Sequence, residues 1–558
     1  MDRAVDRNGR RLTAVGLGLA ALLPLAFLGV FFAWPVATIV GRGFVTGGAL
    51  DLTAIDDVLG SARTWQAIGS TVAQSLVGTV LAVVLGVPGA YVLYRLRFPG
   101  RTAARALVTV PFVLPTVVVG VAFRSLLVEG GPLGFLGADG TFGAVVAALV
   151  FFNYAVVVRT VGSMWSHLDP RPEQAARALG ASPWRAFREV TLPALTPAIT
   201  SAASLVFLFC ATAFGVVLVL GGPGYGTVET EIWVQTTQFL DLRAAAVLSV
   251  VQLVVVSASL AVSGWSRRRR EAALRLQADG TVDHLVRRSD LPLVALTAVV
   301  AGGLLVTPLA TLLVRSLRTP AGWGLDNYAN LATTGSENTL EVSVWQATLN
   351  SLRIAVDATW IALLVGVLIC VVLSRRPRHP GGRRAMGVLD GVFMLPLGVS
   401  AVTVGFGFLI TLNRPPVDLR SSVILVPIAQ AVVAIPLVIR TLLPVLRAID
   451  QRLRQAAAVL GASPGRVFMS VDLPVLGRSL GLAVGFCFAV SLGEFGATSF
   501  LSRPDRPTLP VVVFRLIGRP GADNLGMALA ASVVLALLTA GVIGVAERLR
   551  VQSAGADL

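Results

Sequence analysis

The sequence has 558 residues, of which 55% are hydrophobic and 14% are charged, and its mean hydropathy is +0.78. Soluble globular chains are roughly half apolar and a quarter charged, so this composition excludes an ordinary soluble protein and indicates a membrane protein. The formal net charge is +16, and all 46 basic residues are Arg because the sequence contains no Lys.

Apolar runs predict the elements of the chain. Each run has about 20 residues and is long enough to cross a hydrocarbon core of roughly 30 Å. We therefore expect an all-α, polytopic membrane protein with about 12 transmembrane helices. The predicted spans are 14–40, 68–94, 106–128, 142–158, 196–220, 244–263, 291–314, 354–374, 386–411, 421–439, 479–501 and 525–546.

The basic residues concentrate in every second loop between the predicted spans. This distribution follows the positive-inside rule and predicts a multi-pass membrane protein with both termini in the cytoplasm. The excess of Arg then serves orientation and contact with anionic lipid headgroups. We therefore expect the lipid bilayer as a partner. Because basic and aromatic residues are not interleaved, we expect no nucleic-acid partner.

The sequence argues against a metal site, a disulfide framework or bound ATP. Cys210, Cys370 and Cys487 lie inside apolar runs without paired spacing, and the three His residues are far apart in polar loops. A phosphate-binding P-loop requires a Lys, which this chain lacks. We therefore expect no metal, no cofactor on this chain and no enzymatic activity of its own.

The second half of the sequence repeats the first. EQAARALGASPWRAFREVTLPAL at 173–195 aligns with RQAAAVLGASPGRVFMSVDLPVL at 454–476, and the same offset superimposes further Pro-Gly, Leu-Pro and Arg-Thr pairs. An even number of spans in each half predicts two parallel six-helix repeats, related by an axis along the membrane normal. The repeats are 1–265 and 291–558, joined by a charged cytoplasmic linker at 266–290.

Each repeated segment predicts a helix, a sharp turn and a short amphipathic helix on the cytoplasmic side. In the first copy, Gly180 permits left-handed geometry at the end of the first helix. Ser182 has the position of an N-cap with Pro after it, and Leu192-Pro193 is expected to end the short helix before the fifth span. The second copy repeats this pattern. Such an element suits docking of a partner, whereas a surface helix that only stabilises a loop is the alternative.

The repeated segment resembles the EAA motif of permease subunits of bacterial ABC importers, which has the pattern E-A-A-x-x-x-G followed by L-P. The resemblance implies a type I ABC importer-like fold in which the motif forms a coupling helix. It also implies two copies of an ABC ATPase subunit, which carry ATP-Mg, and an extracytoplasmic substrate-binding protein. The residues implied to couple to the ATPase are Gln174, Ala175, Ala176, Gly180, Ser182, Phe187, Gln455, Ala456, Ala457, Gly461, Ser463 and Phe468.

The chain departs from the family pattern at Gln174 and Gln455, which replace the usual Glu. Any salt bridge that the family makes from this position is then replaced by a neutral hydrogen bond or lost. Glu173 precedes the first Gln, but Arg454 precedes the second. A shifted carboxylate is therefore expected to serve one half only.

The fused two-half organisation is similar to the permeases of ferric-iron and thiamine importers. This resemblance is carried by residues 207–252 and by SLGEFGATSFLSRPDRPTLPVVVFRLIG from Ser491, although the second stretch also resembles molybdate and sulfate permeases. It implies import of a small cationic solute, thiamine or ferric iron. Glu229, Glu231 and Asp241 are expected to contact the binding protein or, alternatively, a cationic cargo. The alternative function is an ion- or proton-coupled secondary transporter, which also uses duplicated halves.

Three further residues stand out within the predicted spans. Glu494 lies in an apolar run, where a carboxylate is costly unless it faces a cavity or a partner. It is either a cation-contacting group on the substrate path or a packing carboxylate bonded to Thr or to backbone N–H groups. Pro115 and Pro396 interrupt predicted spans and indicate either gate hinges or static kinks.

Overall fold

Helices make up nearly all of the chain that the structure describes, which confirms the all-α prediction. The structure is a computed structural model that describes residues 18, 20–46, 49–51, 53–222, 224–268, 283–374, 380–414 and 417–555. The Arg cluster at the start of the sequence, the centre of the predicted linker and the Arg-rich stretch 375–379 lie outside the described residues.

The helices of the first repeat follow the order of the predicted spans, with short helices between them. Where apolar runs are long, the helices are long, because an α-helix satisfies its own backbone groups. They are α1 Ala20–Phe44, α2 Thr53–Gly60, α3 Ala62–Arg95, α4 Arg101–Val113, α5 Thr116–Leu127, α6 Phe142–Ser166, α7 Arg171–Ala178, α8 Pro183–Ala186, α9 Leu192–Ala211, α10 Gly215–Leu220, α11 Val228–Thr237 and α12 Leu242–Arg268.

The second repeat follows a closely similar order. Its helices are α13 Arg288–Ser316, α14 Asp326–Ala329, α15 Val344–Ser374, α16 Pro380–Met394, α17 Ala401–Thr411, α18 Leu425–Ala448, α19 Gln451–Val459, α20 Pro464–Val467, α21 Leu473–Gly493, α22 Thr498–Leu501, α23 Leu509–Ile517 and α24 Ala522–Gly555. Strands are confined to two-residue pairs, namely β1 Val45–Thr46 with β2 Ala49–Leu50, β3 Leu96–Arg97 with β4 His284–Leu285, β5 Arg318–Thr319 with β6 Gly322–Trp323, and β7 Asn413–Arg414 with β8 Val417–Asp418.

The predicted count of twelve spans is not confirmed. Within the described residues, nine helices are long and apolar enough to cross a membrane, and the count reaches 11 if each of two bent helix pairs is one span. The predicted span 386–411 is divided among α16, a 3-10 helix at Leu395–Gly398 and α17. Pro396 lies in that 3-10 helix, so the sequence correctly marked an interruption but not its extent.

Pro115 lies at a sharp break in the predicted span 106–128. Helices α4 and α5 meet there at 104°, which makes this region a broken span or a re-entrant loop rather than one straight helix. Leu114 has extended backbone angles (φ −67°, ψ 140°), as a residue before Pro prefers. Pro115 itself has no N–H to continue the helix, so α5 starts anew after it.

Two compact units make up the fold, and they do not coincide with the sequence repeats. One unit contains the described residues of Met1–Leu50, Leu331–Arg519 and Val534–Leu558, and the other contains Asp51–Asn330 and Pro520–Val533. The first long helix of each repeat therefore belongs to the unit built mainly from the other repeat. In one unit Phe31 of α1 packs against Phe408 of α17. In the other unit Arg315 of α13 donates a hydrogen bond to the carbonyl oxygen of Ser125 at 2.6 Å.

The end of the predicted linker is part of the second of these units. Asp283 accepts hydrogen bonds from Arg97 Nε and Arg101 Nη1, both at 2.6 Å. These hydrogen bonds lower the pKa of Asp283, and the bond from Arg101 has the larger effect. Tyr91 on α3 also donates to Asp290 at 3.0 Å. The described part of the linker is thus fixed to the ends of α3 and α4.

Each unit contains a close approach of two long helices at a glycine. A Cβ added to Gly86 on α3 would lie 2.7 Å from the Val157 side chain on α6. In the other unit, a Cβ on Gly366 of α15 would lie 2.6 Å from Val438 on α18. Small residues at such contacts let helix backbones approach and gain van der Waals contact, which drives helix association in membranes.

We predict that Gly86→Ala lowers the thermal melting midpoint of the detergent-solubilised protein. The added methyl group has no room beside Val157, and overpacking of this kind typically costs about 1–3 kcal/mol. Gly69→Ala is the matched control, because Gly69 also lies in α3 but has open space around its Cβ position. A Gly86→Ala protein that melts at or above the control would contradict the close packing of α3 and α6.

Candidate coupling surface

The two repeated segments have the same helix, turn and helix geometry. In the first copy, Gly180 has φ +91° and its N–H donates to the Arg177 carbonyl, while Ala181 N donates to Ala176 O. These two bonds form a Schellman motif, which ends α7 and satisfies its last carbonyl groups. In the second copy, Gly461 has φ +84°, and the same two bonds end α19. The turn predicted from the glycines is therefore present in both halves.

A serine begins the short helix in each copy, as the sequence predicted. Ser182 Oγ accepts from the Arg185 N–H at 3.3 Å, and Ser463 Oγ accepts from the Arg466 N–H at 3.4 Å. Each bond satisfies one of the free N–H groups at a helix start. The turns carry the most exposed apolar side chains of the segments, with Leu179 89% and Leu460 88% exposed.

The expectation that Leu192-Pro193 ends the short helix was wrong. A π-helical turn, Phe187–Thr191, joins α8 to α9, so Pro183–Ala211 is one continuous helix. Leu192 N bonds to Phe187 O in this turn, which widens the helix just before Pro193. The wider turn accommodates a proline that has no N–H and would otherwise crowd the preceding turn. The second copy has the equivalent π-turn at Phe468–Asp472.

A pair of residues joins the start of each repeated segment to its π-turn. The sequence analysis named one member of each pair, Glu173 and Arg454, but not the partner. In the first copy, Thr191 Oγ1 donates to Glu173 Oε2 at 2.9 Å. In the second copy, Arg454 Nε donates to Asp472 Oδ1 at 2.6 Å. The two pairs occupy equivalent positions in the repeat, yet one is a neutral donor with a carboxylate and the other is a buried ion pair. We call these the junction pairs.

The junction pairs lie next to the glutamines at which the sequence departs from the pattern it resembles. Gln174 and Gln455 are exposed, whereas the residue before each one reaches inward to the π-turn. A signal for the pairs was present in the sequence, because positions 173 and 191 repeat at 454 and 472 with complementary polar groups in both copies. Ala175, Ala176, Ala456 and Ala457 lie in α7 and α19, next to these residues.

Aromatic stacking distinguishes the first copy from the second. Phe187 stacks between Trp184 and Trp165, with ring centroids 5.7 and 5.9 Å away. Gly465 stands at the position of Trp184 in the second copy, so Phe468 has no such neighbour at that position. The half-buried Phe187 therefore belongs to a stack that fixes α8 against the end of α6.

Glu494 caps the short helix that follows it. Its carboxylate accepts from Ala497 N at 2.7 Å and Thr498 N at 3.0 Å, and Thr498 Oγ1 also donates to it. The residue is buried, and the helix α21 ends just before it. Of the two roles expected for Glu494, this geometry matches that of a packing carboxylate. A position on the substrate path stays a prediction.

The acidic residues after the fifth predicted span are engaged within the chain. Glu229 is buried and accepts from Gln252 at 2.7 Å. Glu231 is also buried and accepts from Arg63 at 3.0 Å, while Asp241 caps the start of α12 through the N–H groups of residues 243 and 244. Contact with a binding protein or cargo was expected of these groups, and their geometry favours a structural role. Within the described residues, no three His, Cys, Asp or Glu side chains are placed to hold a metal ion.

We predict that Asp472→Ala destabilises the protein by about 3–5 kcal/mol, because it leaves the buried guanidinium of Arg454 unpaired. The control is Asp390→Ala, since the Arg447–Asp390 pair is 3.7 Å apart with both side chains 41% exposed. An exposed pair is worth about 1 kcal/mol or less. The double change Arg454→Met with Asp472→Leu should recover most of the loss in a thermal melt. Equal losses for the two Asp variants would contradict the role of the junction pair.

Glu494→Gln should lower the melting midpoint and leave the solute preference of transport unchanged. The amide has one acceptor oxygen for the donors that the carboxylate now accepts, and a hydrogen bond to a charged group contributes about 1.5–3 kcal/mol. Glu341→Gln is the control, because Glu341 is an exposed loop residue of the same unit. A Glu494→Gln protein with normal stability and an altered solute preference would instead assign Glu494 to the substrate path.

Comparison with known proteins identifies the family. Residues 76–271 match the family described as binding-protein-dependent transport system inner membrane component. The thiamine transport system permease protein ThiP of Salmonella typhimurium is 29% identical over 471 residues, which cover 81% of this chain and 84% of that protein. The crystal structure of a bacterial ABC transporter involved in the import of the acidic polysaccharide alginate aligns with a TM-score of 0.41 at 16% identity, over 48% of this chain and 99% of that one.

A second relative aligns over a shorter stretch. The sulfate transport system permease protein CysT of Escherichia coli is 34% identical over 190 residues, which cover 32% of this chain and 69% of that protein. Taken with the match at 76–271, this similarity shows the family at the level of the transport permease and leaves the solute open. The chain belongs to the binding-protein-dependent transport system inner membrane components, the multi-span inner-membrane permeases of ABC importers.

Proposed function

We propose that this permease imports a small cationic solute, with thiamine as the first candidate and ferric iron as the second, at the expense of ATP hydrolysed by a separate subunit. Two copies of an ABC ATPase bind the repeated segments, and an extracytoplasmic binding protein delivers the solute. Both termini of the chain lie in the cytoplasm, on the side of the ATPase. The observation that supports this proposal best is the presence of the same exposed helix, turn and helix in both halves.

The geometry of the segments suits docking to a groove. Leu179 and Leu460 lie at the turns with most of their surface exposed, and Arg177, Arg185 and Arg466 are exposed in the same segments. An apolar anchor within a polar rim is the usual arrangement of a protein interface. The residues proposed to couple to the ATPase are those named above from Gln174 to Phe187 and from Gln455 to Phe468.

The short helices also have a direct mechanical route to the spans. Because α8 continues into α9 through the π-turn, a force on the first segment acts on a helix 29 residues long. In addition, the hydrogen bonds of the junction pairs join the start of each segment to its π-turn. A movement of the ATPase subunits would therefore be transmitted to the fifth long helix of each half.

The choice of solute rests on the relatives. The thiamine-system permease aligns over most of this chain, while the sulfate-system permease aligns over about a third. Pro115 and Pro396, which lie at interruptions of two predicted spans, are proposed as gate positions of the translocation path. An ion- or proton-coupled secondary transporter is the rival function, and it needs ionisable groups that exchange protons or ions within the spans. The buried carboxylates Glu229 and Glu494 accept hydrogen bonds within the chain instead.

The double variant Leu179→Asp and Leu460→Asp is expected to lose capture of the ATPase encoded nearest to this permease. Loss of two apolar anchors of at least about 2 kcal/mol each lowers affinity well over tenfold. Phe135→Asp is the control, because Phe135 is 81% exposed in a loop of the first half outside the repeated segments. Both variants should melt like the wild type, since the replaced side chains are exposed.

Transport itself is measured in proteoliposomes that contain the permease and the ATPase. Thiamine, ferric iron and sulfate are supplied in separate arms with candidate binding proteins, and uptake is followed with internal ATP or with a proton gradient alone. ATP-dependent uptake of thiamine, abolished by the double variant, is the expected result. Uptake driven by the gradient without ATP would overturn the importer proposal, and ATP-dependent uptake of sulfate would overturn the cationic solute.

A further inference from the structure

A cavity of about 330 Å³ lies beside the first repeated segment, and no step of the proposed import cycle uses it. It is enclosed by the end of α3, the end of α6, the connection before α7 and the π-turn before α9. Its polar lining comes from Arg95, Asp169, Glu173 and Thr191, and Trp165 forms part of its apolar wall. All of these residues belong to one compact unit. The volume is within the range of small-ligand sites, about 300–1,000 Å³.

Arg95 is the unusual group of this cavity. Its residue is 8% exposed, and its Nη1 atom has no hydrogen-bond partner among the residues that the structure describes. A buried guanidinium nitrogen without an acceptor is costly, since its N–H groups have lost water and found no other partner. The cavity therefore offers a strong donor to an anionic oxygen that enters it.

The junction pair of the second half differs from that of the first. Arg454 occupies the position of Glu173, and its guanidinium donates to Asp472 and to the carbonyl oxygen of Leu446, the counterpart of Trp165. The second junction thus contains a cation and an acid in direct contact. In the first half Arg95, at the end of α3, lines the cavity together with Glu173 and Asp169.

The acids restrict what this cavity can bind. Glu173 accepts a hydrogen bond from Thr191, and Asp169 accepts one from the N–H of Arg171, so both act as acceptors in the structure. A ligand must offer an anionic oxygen to Arg95 and a proton of its own to the carboxylates. A fully deprotonated anion such as sulfate meets the first requirement and is repelled by the second.

We propose that this cavity binds a phosphate group that carries its own hydrogen-bond donor. Two sources have this chemistry, a protonated inorganic phosphate or phosphomonoester, and the headgroup of an ethanolamine phospholipid, whose ammonium supplies the donor. Either ligand bridges Arg95 on α3 to Glu173 on α7. It completes in the first half the contact between cation and acid that Arg454 and Asp472 make in the second.

The first test measures binding of inorganic phosphate to the purified permease by equilibrium dialysis, at constant ionic strength, with sulfate as competitor. We expect phosphate to bind at least about tenfold more tightly than sulfate, because sulfate has no proton for the carboxylates at neutral pH. Arg95→Gln should abolish this binding, and Arg95→Lys should retain part of it. Arg171→Gln is the matched control, since Arg171 is exposed on the same segment.

Glu173→Gln gives a readout that a merely structural role would not change. An amide at this position donates to sulfate, so the preference for phosphate over sulfate should narrow by about tenfold or more. Equal binding of phosphate and sulfate by the wild type would overturn the proposal. Phosphate binding by Arg95→Gln with wild-type affinity would also overturn it, and the cavity would then hold only water.

The source of the phosphate is distinguished in nanodiscs without free phosphate. Phosphatidylethanolamine is compared with phosphatidylcholine, whose quaternary ammonium has no N–H to donate. A higher melting midpoint in phosphatidylethanolamine that disappears in Arg95→Gln assigns the site to the lipid headgroup. The same midpoint in both lipids, together with binding of inorganic phosphate, assigns it to a soluble phosphate. The same midpoint without any phosphate binding contradicts both sources.

Discussion

Backbone hydrogen bonding constrains this fold more than any other interaction, because hydrocarbon offers no partner to an N–H or carbonyl group. The long helices satisfy this requirement internally, and three interruptions within apolar runs differ in how the backbone continues. At Pro115 a new helix starts at 104° to the previous one. At Leu192 a bond to Phe187 widens the turn before a proline. At Glu494 a carboxylate accepts from the free N–H groups of Ala497 and Thr498 at the start of α22.

The prolines of the repeated segments show how one residue type has different effects in different contexts. Pro193 lies in a helix that continues through a π-turn, whereas Pro115 coincides with a sharp break. The difference lies in the residue before it. Leu192 is helical (φ −63°, ψ −45°), and Leu114 is extended. A rigid connection between α8 and α9 follows from the first arrangement, and a change of direction between α4 and α5 follows from the second.

Much of the fold was readable from the sequence for physical reasons. The length of the apolar runs predicted the long helices. Gly and Ser predicted the turns and caps of the repeated segments, because Gly tolerates a positive φ and Ser can accept a hydrogen bond from a free N–H group at a helix start. The sequence did not predict that α1 and α13 each belong to the compact unit built mainly from the other repeat, since this depends on packing between distant elements. The partners in the junction pairs were missed because residues 173 and 191 are 18 positions apart, and a repeated polar pattern does not by itself show that two such positions bond to each other.

Duplication preserved the geometry of the repeated segments and changed their chemistry. Leu179 and Leu460 are nearly equally exposed, so two copies of one partner would meet the same apolar tip in each half. Around the tips, Trp184 in one copy and Gly465 in the other give different surfaces. The supports differ as well, because a buried ion pair with Asp472 holds the second segment, while a hydroxyl of Thr191 and an aromatic stack hold the first. A fused chain can retain this inequality, whereas a symmetric dimer of identical permeases would have the same support in both halves.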